Sequence, residues 1–259
     1  MSSPNINDNN EYWRTLFGFS EKEFNLIKKD FIKLELKTGE YLYKFNELPK
    51  GIILINKGTL RLIGKDENKE FISIAKFKKN EIASARTILS EKNSTGLIAS
   101  NDVEGFFIKK EQFLKLIINN EKFKDLFKQI STEEYFYLAE SCKDPRLHKS
   151  KKLLEWAELQ SKRSEEIILL NPSEGKVPDT QKQWLIISNN INNYNFGDTI
   201  KGSEFYSLNG NLPGRLIPIP ENWPPINSEE IPIKSEKILE NSKNNINDFN
   251  NNNQLEKIK

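Results

Sequence analysis

Between Phe77 and Ser100 the chain reads FKKNEIASARTILSEKNSTGLIAS, a short polar stretch set between two runs that alternate like β-strands. It holds one arginine, Arg86, and two adjacent hydroxyls, Ser94 and Thr95. A guanidinium with hydroxyls and backbone N–H groups nearby is suited to gripping a small anion, because the cation makes charge-assisted contacts and the hydroxyls donate beside it. The competing reading is a set of solvated loop charges around a pocket that is empty or filled by side chains. Other chemistries have less to stand on. A single cysteine, Cys142, excludes an intramolecular disulfide and any CxxC motif, and a single histidine, His148, excludes a histidine-rich metal site of the cupin type. Neither has an orienting partner nearby in sequence that would make a nucleophile–base pair. Glu133 and Glu134 are adjacent carboxylates at a helix start, where capping accounts for them. The residues argue for no catalytic site, no metal and no enzyme.

Charge and length bound the classes further. The 259 residues carry 39 basic and 37 acidic side chains, a net charge of +2, so no global field favours nucleic acid or anionic membrane. The hydrophobic fraction is 36%, below the roughly 45–50% of ordinary globular chains, and the shortfall sits in the Asn- and Lys-rich ends. No run approaches the roughly 18–20 apolar residues of a membrane span. The opening MSSPNINDNNEYW lacks the basic and apolar regions of a signal peptide, which predicts a cytoplasmic protein or a cytoplasmic part of something larger.

The elements around the polar stretch read clearly. Residues 1–10 are predicted to be disordered. FSEKEFNLIKKDF opens with a capping box, Ser20 and Glu23, and continues at helical spacing through Phe24, Ile27 and Phe31. IKLELKTGEYLYKF then alternates, and GIILIN, TLRLIG and EFISIAKF follow as β-like runs, with Gly58 predicted in a tight turn at positive φ. TGLIASNDVEGFFIKK supplies two more strands joined at SND. EQFLKLIINNEKFKDLFKQI reads as a helix, and STEEYFYLAESCKD as another with a second capping box, Ser131 and Glu134. RLHKSKKLLEWAELQSK is a basic helix whose Trp156 faces a core, or a helix that lies on a membrane or nucleic acid. EEIILLNP, QKQWLIISNN, YNFGDTI and GRLIPIP complete a small β-rich module. About eight short strands without intervening helices predict a mainly β fold with α: a double-stranded β-helix or jelly roll flanked by helices, followed by a small helical and β-rich module. The predicted boundaries are 11–127 for the roll with its helices, 128–164 for a helical connector, 165–226 for the β-rich module and 227–259 for a disordered tail.

Three stretches, LKTGEYLYKFNELPKGIILINKGTLRLI, AKFKKNEI and LIASNDVEGFFIKKEQFLKLI, resemble the cyclic-nucleotide-binding domain family over roughly residues 12–127. The resemblance implies a regulatory domain of that type, with cyclic AMP or cyclic GMP as the ligand of its phosphate-binding cassette. In that family an arginine pairs with the cyclic phosphate and a glutamate accepts from the ribose hydroxyl. Aligned on LIAS, the arginine position falls at Asn93, and the glutamate position falls at Glu81 behind Asn80 in place of the family's glycine. Taking IASARTIL as the cassette moves the glutamate position to Ser84. The candidate ligand-binding residues are therefore Glu81, Arg86, Asn93, Ser94 and Thr95, in a cassette that has lost its arginine. The second half shows no helix-turn-helix, which argues against DNA binding. Its domain order resembles the cytosolic N-terminal region of bacterial, particularly cyanobacterial, peptide-exporting ABC transporters. That implies an exporter component as protein partner. The expected function is a non-enzymatic regulatory or interaction protein with lost or altered nucleotide binding; the alternative is a genuine cyclic-nucleotide or small-anion sensor acting through the stretch 80–96.

The tail holds too few apolar residues to offset its ordering entropy. Deleting residues 228–259 is expected to leave the melting temperature within about 2 °C, measured by differential scanning calorimetry.

Overall fold

The computed structural model describes residues 6–65, 70–142, 151–163, 165–171, 175–220 and 223, all in the first of the chain's two units, Met1–Ile226. His148 and the expected tail at 227–259 lie outside the described residues. Two helices lead in, α1 (Ile6–Phe17) and α2 (Glu21–Ile27), followed by one 3-10 turn at Lys28–Asp30. Helix α1 begins inside the stretch expected to be disordered. Its far end explains this: Trp13 and Phe17 are fully buried, and Trp13 Nε1 donates to Asn56 Oδ1 at 2.9 Å. Anchored there, the helix propagates back through its polar first turn. The predicted capping box of α2 forms, with Glu23 N donating to Ser20 Oγ at 3.3 Å and Ser20 N donating to Glu23 Oε2 at 2.8 Å.

Eight strands follow: β1 (Ile32–Leu36), β2 (Tyr41–Tyr43), β3 (Gly51–Lys57), β4 (Leu60–Lys65), β5 (Phe71–Phe77), β6 (Ile82–Ala83), β7 (Gly96–Ala99) and β8 (Val103–Lys109). They form two antiparallel four-stranded sheets in the orders β1-β8-β3-β6 and β2-β7-β4-β5. The first strand lies beside the eighth and the second beside the seventh, which is jelly-roll connectivity. The unbroken apolar run Ile52–Ile55 in β3 has a simple cause. Ile53 and Ile55 face the roll interior, while Ile52 and Leu54 face a second core made with Trp13, Phe17, Phe113 and Phe123 from the helices outside. A strand buried on both faces needs no polar alternation.

One helix, α3 (Ala85–Ser90), interrupts the strands, and four follow them: α4 (Lys110–Asn119), α5 (Glu121–Asp125), α6 (Thr132–Ser141) and α7 (Lys151–Ser161). The single helix expected from EQFLKLIINNEKFKDLFKQI is two, because Asn120 leaves helical geometry and its side chain caps α5 by accepting from Phe123 N at 2.8 Å. Trp156 of α7 faces the core as the first reading of that helix expects, packing edge-on against Tyr135 with ring centroids 5.7 Å apart. Among the described residues, no helix is long and apolar enough to cross a membrane.

The four expected late strands are β9 (Ile168–Leu170), β10 (Gln183–Ile186), β11 (Thr199–Lys201) and β12 (Gly214–Pro218), antiparallel in the order β11-β10-β12-β9. Leu185, Ile187 and Ile217 join the roll's Ile55, Leu62 and Leu97 in one core, with Tyr135–Ala139 of α6 among them. The other face of this third sheet closes its own small cluster around Trp184, Ile186, Ile200 and Leu216.

Gly58 turns β3 into β4 at φ 89°, as its position predicts, and a Cβ there would lie 2.3 Å from the Asp102 carbonyl oxygen. Strain at positive φ and a backbone clash combine. Gly58→Ala is expected to cost at least about 2 kcal/mol, read as a lower urea midpoint at unchanged slope.

Candidate functional site

The stretch first expected as a loop is mostly regular structure. Ile82 and Ala83 form β6, Ser84 turns the chain at φ 72°, and Ala85–Ser90 form α3, which ends at Glu91 with φ 48°. Helix α3 touches β3 on one side and α6 on another, so Ala85, Thr87, Ile88, Leu89 and Ser90 are all buried. The polar letters of the sequence therefore point inward.

The five expected ligand residues do not converge on one point. Glu81 is exposed and caps a turn, accepting from Lys78 N at 2.6 Å. Asn93 is also exposed, and its carbonyl accepts from Asn46 N at 2.7 Å. Arg86 turns towards the helices: Nη1 donates to the Phe127 carbonyl at 2.9 Å and to Glu134 Oε2 at 3.1 Å, and Nη2 donates to the Leu126 carbonyl at 3.2 Å. Its guanidinium also lies 5.1 Å from the centre of the Phe127 ring. Ser94 Oγ donates to Glu140 Oε2, and Thr95 Oγ1 shares a hydrogen bond with Tyr137 Oη at 2.9 Å.

What these residues share is helix α6. Glu133, Tyr137 and Glu140 stand at i, i+4 and i+7, one face of that helix, and the face is turned to the stretch 84–95. Thr87 of α3 is the hub. Its hydroxyl donates to Glu133 Oε1 at 2.7 Å and lies 3.0 Å from Tyr137 Oη and 3.2 Å from Tyr43 Oη. Glu133 is 3% exposed. Burial pushes its carboxyl up to about 7, the Thr87 hydrogen bond opposing the rise and the neighbouring Glu134 charge adding to it. Burial also pushes the Tyr43 and Tyr137 hydroxyls up, so both remain donors.

Glu134 behaves differently although it is the next residue. Burial alone would raise it, but Arg215 and Arg86 hold it below the usual carboxylate range. Arg215 Nη2 of β12 lies 2.6 Å from Oε1, and Oε2 accepts from Arg86 and, as the predicted capping box, from Ser131 N at 3.1 Å. Capping thus accounts for Glu134 and not for Glu133, which the sequence reading had grouped with it. That reading also passed over Tyr43, Thr87, Tyr137, Glu140 and Arg215. A signal was present: YFYLA is apolar on every side, which marks a fully buried helix, so carboxylates flanking it must be buried too.

Residues 33–120, about a third of the chain, match the family model of the cyclic nucleotide-binding domain. No curated protein matches. Among solved structures the chain is similar to one described as "cAMP bound PfPKA-R (141-441)", at 12% identity over 83% of this chain and 82% of that one, with a TM-score of 0.39. It is similar to the sensor domain of the transcriptional regulator DNR from Pseudomonas aeruginosa, at 10% identity over 46% and 83%, with a TM-score of 0.40. It is also similar to the catabolite activator protein of Thermus thermophilus, at 17% identity over 56% and 84%, with a TM-score of 0.37. Likenesses this distant carry no argument, so the assignment rests on the family match and the jelly-roll strand order. By those two findings, residues 33–120 of the roll are similar to the cyclic nucleotide-binding domain and share a jelly-roll strand order.

Proposed function

We propose that this chain is a non-enzymatic regulatory and interaction module, a cyclic nucleotide-binding-type roll whose ligand space its own helix α6 occupies. The observation that carries the reading is the set of contacts from Glu133, Glu134, Tyr137 and Glu140 to Thr87, Arg86, Thr95 and Ser94. A nucleotide entering beside α3 displaces buried hydrogen bonds worth about 0.5–1.5 kcal/mol each. Its phosphate also meets three carboxyl groups, and the aligned position for a pairing arginine is the exposed Asn93. Losing one charge-assisted contact alone weakens binding by roughly tenfold to several hundredfold. The order of roll, helices and small β-sheet is what supports an exporter component as the protein partner.

The test is isothermal titration calorimetry of the full chain with cyclic AMP and cyclic GMP. No heat of binding is expected at millimolar nucleotide. A dissociation constant below about 100 μM for either one, on the affinity scale where that is about −5.5 kcal/mol, sinks the reading and restores the sensor alternative.

Burial of the Glu133 carboxyl in this contact makes stability depend on pH. The folded-state value of Glu133 is about 7 against 4.5 for the free carboxyl, so the folded chain holds this proton more tightly than the unfolded chain. Its contribution is fully present below about 4.5 and is lost as pH rises through 7. Glu133→Gln keeps an acceptor for Thr87 and removes the ionisation. It is expected to be more stable than the parent at pH 8 by on the order of 2–3 kcal/mol, with the gain vanishing at pH 4.5. Equal effects at both values, in urea titrations, would contradict the assignment.

A further inference from the structure

A cleft opens where α3 and α4 of the roll face the third sheet, and nothing in the reading above uses it. One wall is apolar, with Ile88, Leu114 and Ile117 of the helices opposite Leu169 and Leu212. Polar groups come from both sides, Arg215 and Asn190 from the sheet side and Glu91, Lys110 and Lys124 from the helix side. Arg215 is 4% exposed, and its Nη1 has no hydrogen-bond partner among the described residues. The Asn190 Oδ1 atom is buried and also without one, while its amide nitrogen is occupied, donating to the Leu212 carbonyl at 2.8 Å. The two residues that carry this unused cationic donor and this unused acceptor both line the same cleft. Unsatisfied buried polar atoms are costly, and those that line a cleft are the natural anchors of a ligand.

Charge selects the sign of that ligand. Arg86 and Arg215 share the single carboxylate of Glu134. At the rim, Lys110 is paired with Glu91 at 3.6 Å and Lys124 with Glu121, so the rim charges are matched. Two guanidiniums against one carboxylate leave one positive charge in excess, shared between Arg86 and Arg215. The cleft has about 50 Å³ for the centres of water-sized atoms, room for about four waters at roughly 10–15 Å³ each, and it continues into an open mouth.

We propose that this cleft binds a small carboxylate that carries a hydrogen-bond donor on the adjacent carbon and a short branched apolar side chain, that is, an α-amino or α-hydroxy acid. The carboxylate meets Arg215 Nη1, the ammonium or hydroxyl donates to Asn190 Oδ1, and the side chain covers Leu114 and Ile117. The site lies outside the cassette contact, so it stands or falls independently of the function proposed above. Its coupling route is short, because Arg215 reaches α3 through Glu134 and Arg86.

The experiment is a thermal-shift and calorimetric series on the full chain with L-leucine, 2-hydroxy-4-methylpentanoate, 4-methylpentanoate and 4-methylpentanamide. Either of the first two is expected to raise the melting temperature by at least about 2 °C at about 10 mM, and which one does so separates the ammonium from the hydroxyl donor. The acid without a donor binds at least tenfold more weakly, and the neutral amide does not bind. Leu212→Trp, a partly exposed position at the cleft, leaves the fold intact and abolishes the shift. Arg215→Lys, tested beside it, weakens binding at least tenfold. The proposal is overturned if no compound shifts the transition, if the amide matches the acids, or if Leu212→Trp binds as the parent does.

Discussion

Glu134 has no exposed surface and stands between two guanidiniums, Arg86 of α3 at 3.1 Å and Arg215 of β12 at 2.6 Å. One carboxylate therefore joins the roll, the buried helix and the third sheet. Its main effect is on position, since desolvating three charges costs several kcal/mol per ion and offsets most of their attraction. Removing one partner leaves another charge uncompensated, at about 3–5 kcal/mol, so the three elements hold a single arrangement. The same carboxylate caps α6 through Ser131, which fixes the start of that helix at the same point. Arg86 adds the carbonyls of Leu126 and Phe127, tying in the turn after α5.

With its first turn fixed, α6 has no freedom in where its later residues fall. Successive turns, about 5.4 Å apart, bring Tyr137 to Thr95 and Glu140 to Ser94. The hydroxyls of Tyr43, Thr87, Thr95 and Tyr137 are buried and need acceptors, and Glu133 is the carboxyl they gather around. Such a network is high-stakes because each missing member strands another polar atom in a low dielectric. Here the members come from β2, α3, the residues before β7, and α6. A set of interactions that looks like local detail thus locks the roll's interior.

The framework was legible in the sequence because it is written in periodicity. Two capping boxes, Ser20–Glu23 and Ser131–Glu134, and the turn at Gly58 followed from local chemistry that tertiary contacts do not override. The four late strands were readable for the same reason. Helix α3 was not: ARTILS is short, flanked by Ser84 and Glu91 at positive φ, and carries polar letters that only the opposing α6 makes inward-facing. Arg86 stands out in the sequence as a candidate ligand residue, but its partners lie 40 to 48 residues away and no spacing rule reveals them. Glu133 and Glu134 look alike in sequence, and their opposite fates depend on which face of one helix turn meets the arginines. Helix α1 was missed because Trp13 owes its anchor to Asn56, a contact across 43 residues.

A relay helix in a sensor needs two arrangements of comparable free energy, one of which the ligand favours. In helix α6, Glu133–Ala139 are buried throughout, against the roll on one side and against α7 and the third sheet on the other. Moving it away from α3 disrupts two packed surfaces and the Glu134 junction together. The roll side therefore offers a ligand little leverage. The third sheet is different, because β12 carries Arg215, which grips the Glu134 junction and also borders an open cleft. A perturbation of Arg215 reaches α3 through two ion pairs, without any opening of the roll. If this fold transmits a signal, the connectivity requires that it enter from the third sheet and leave through α3.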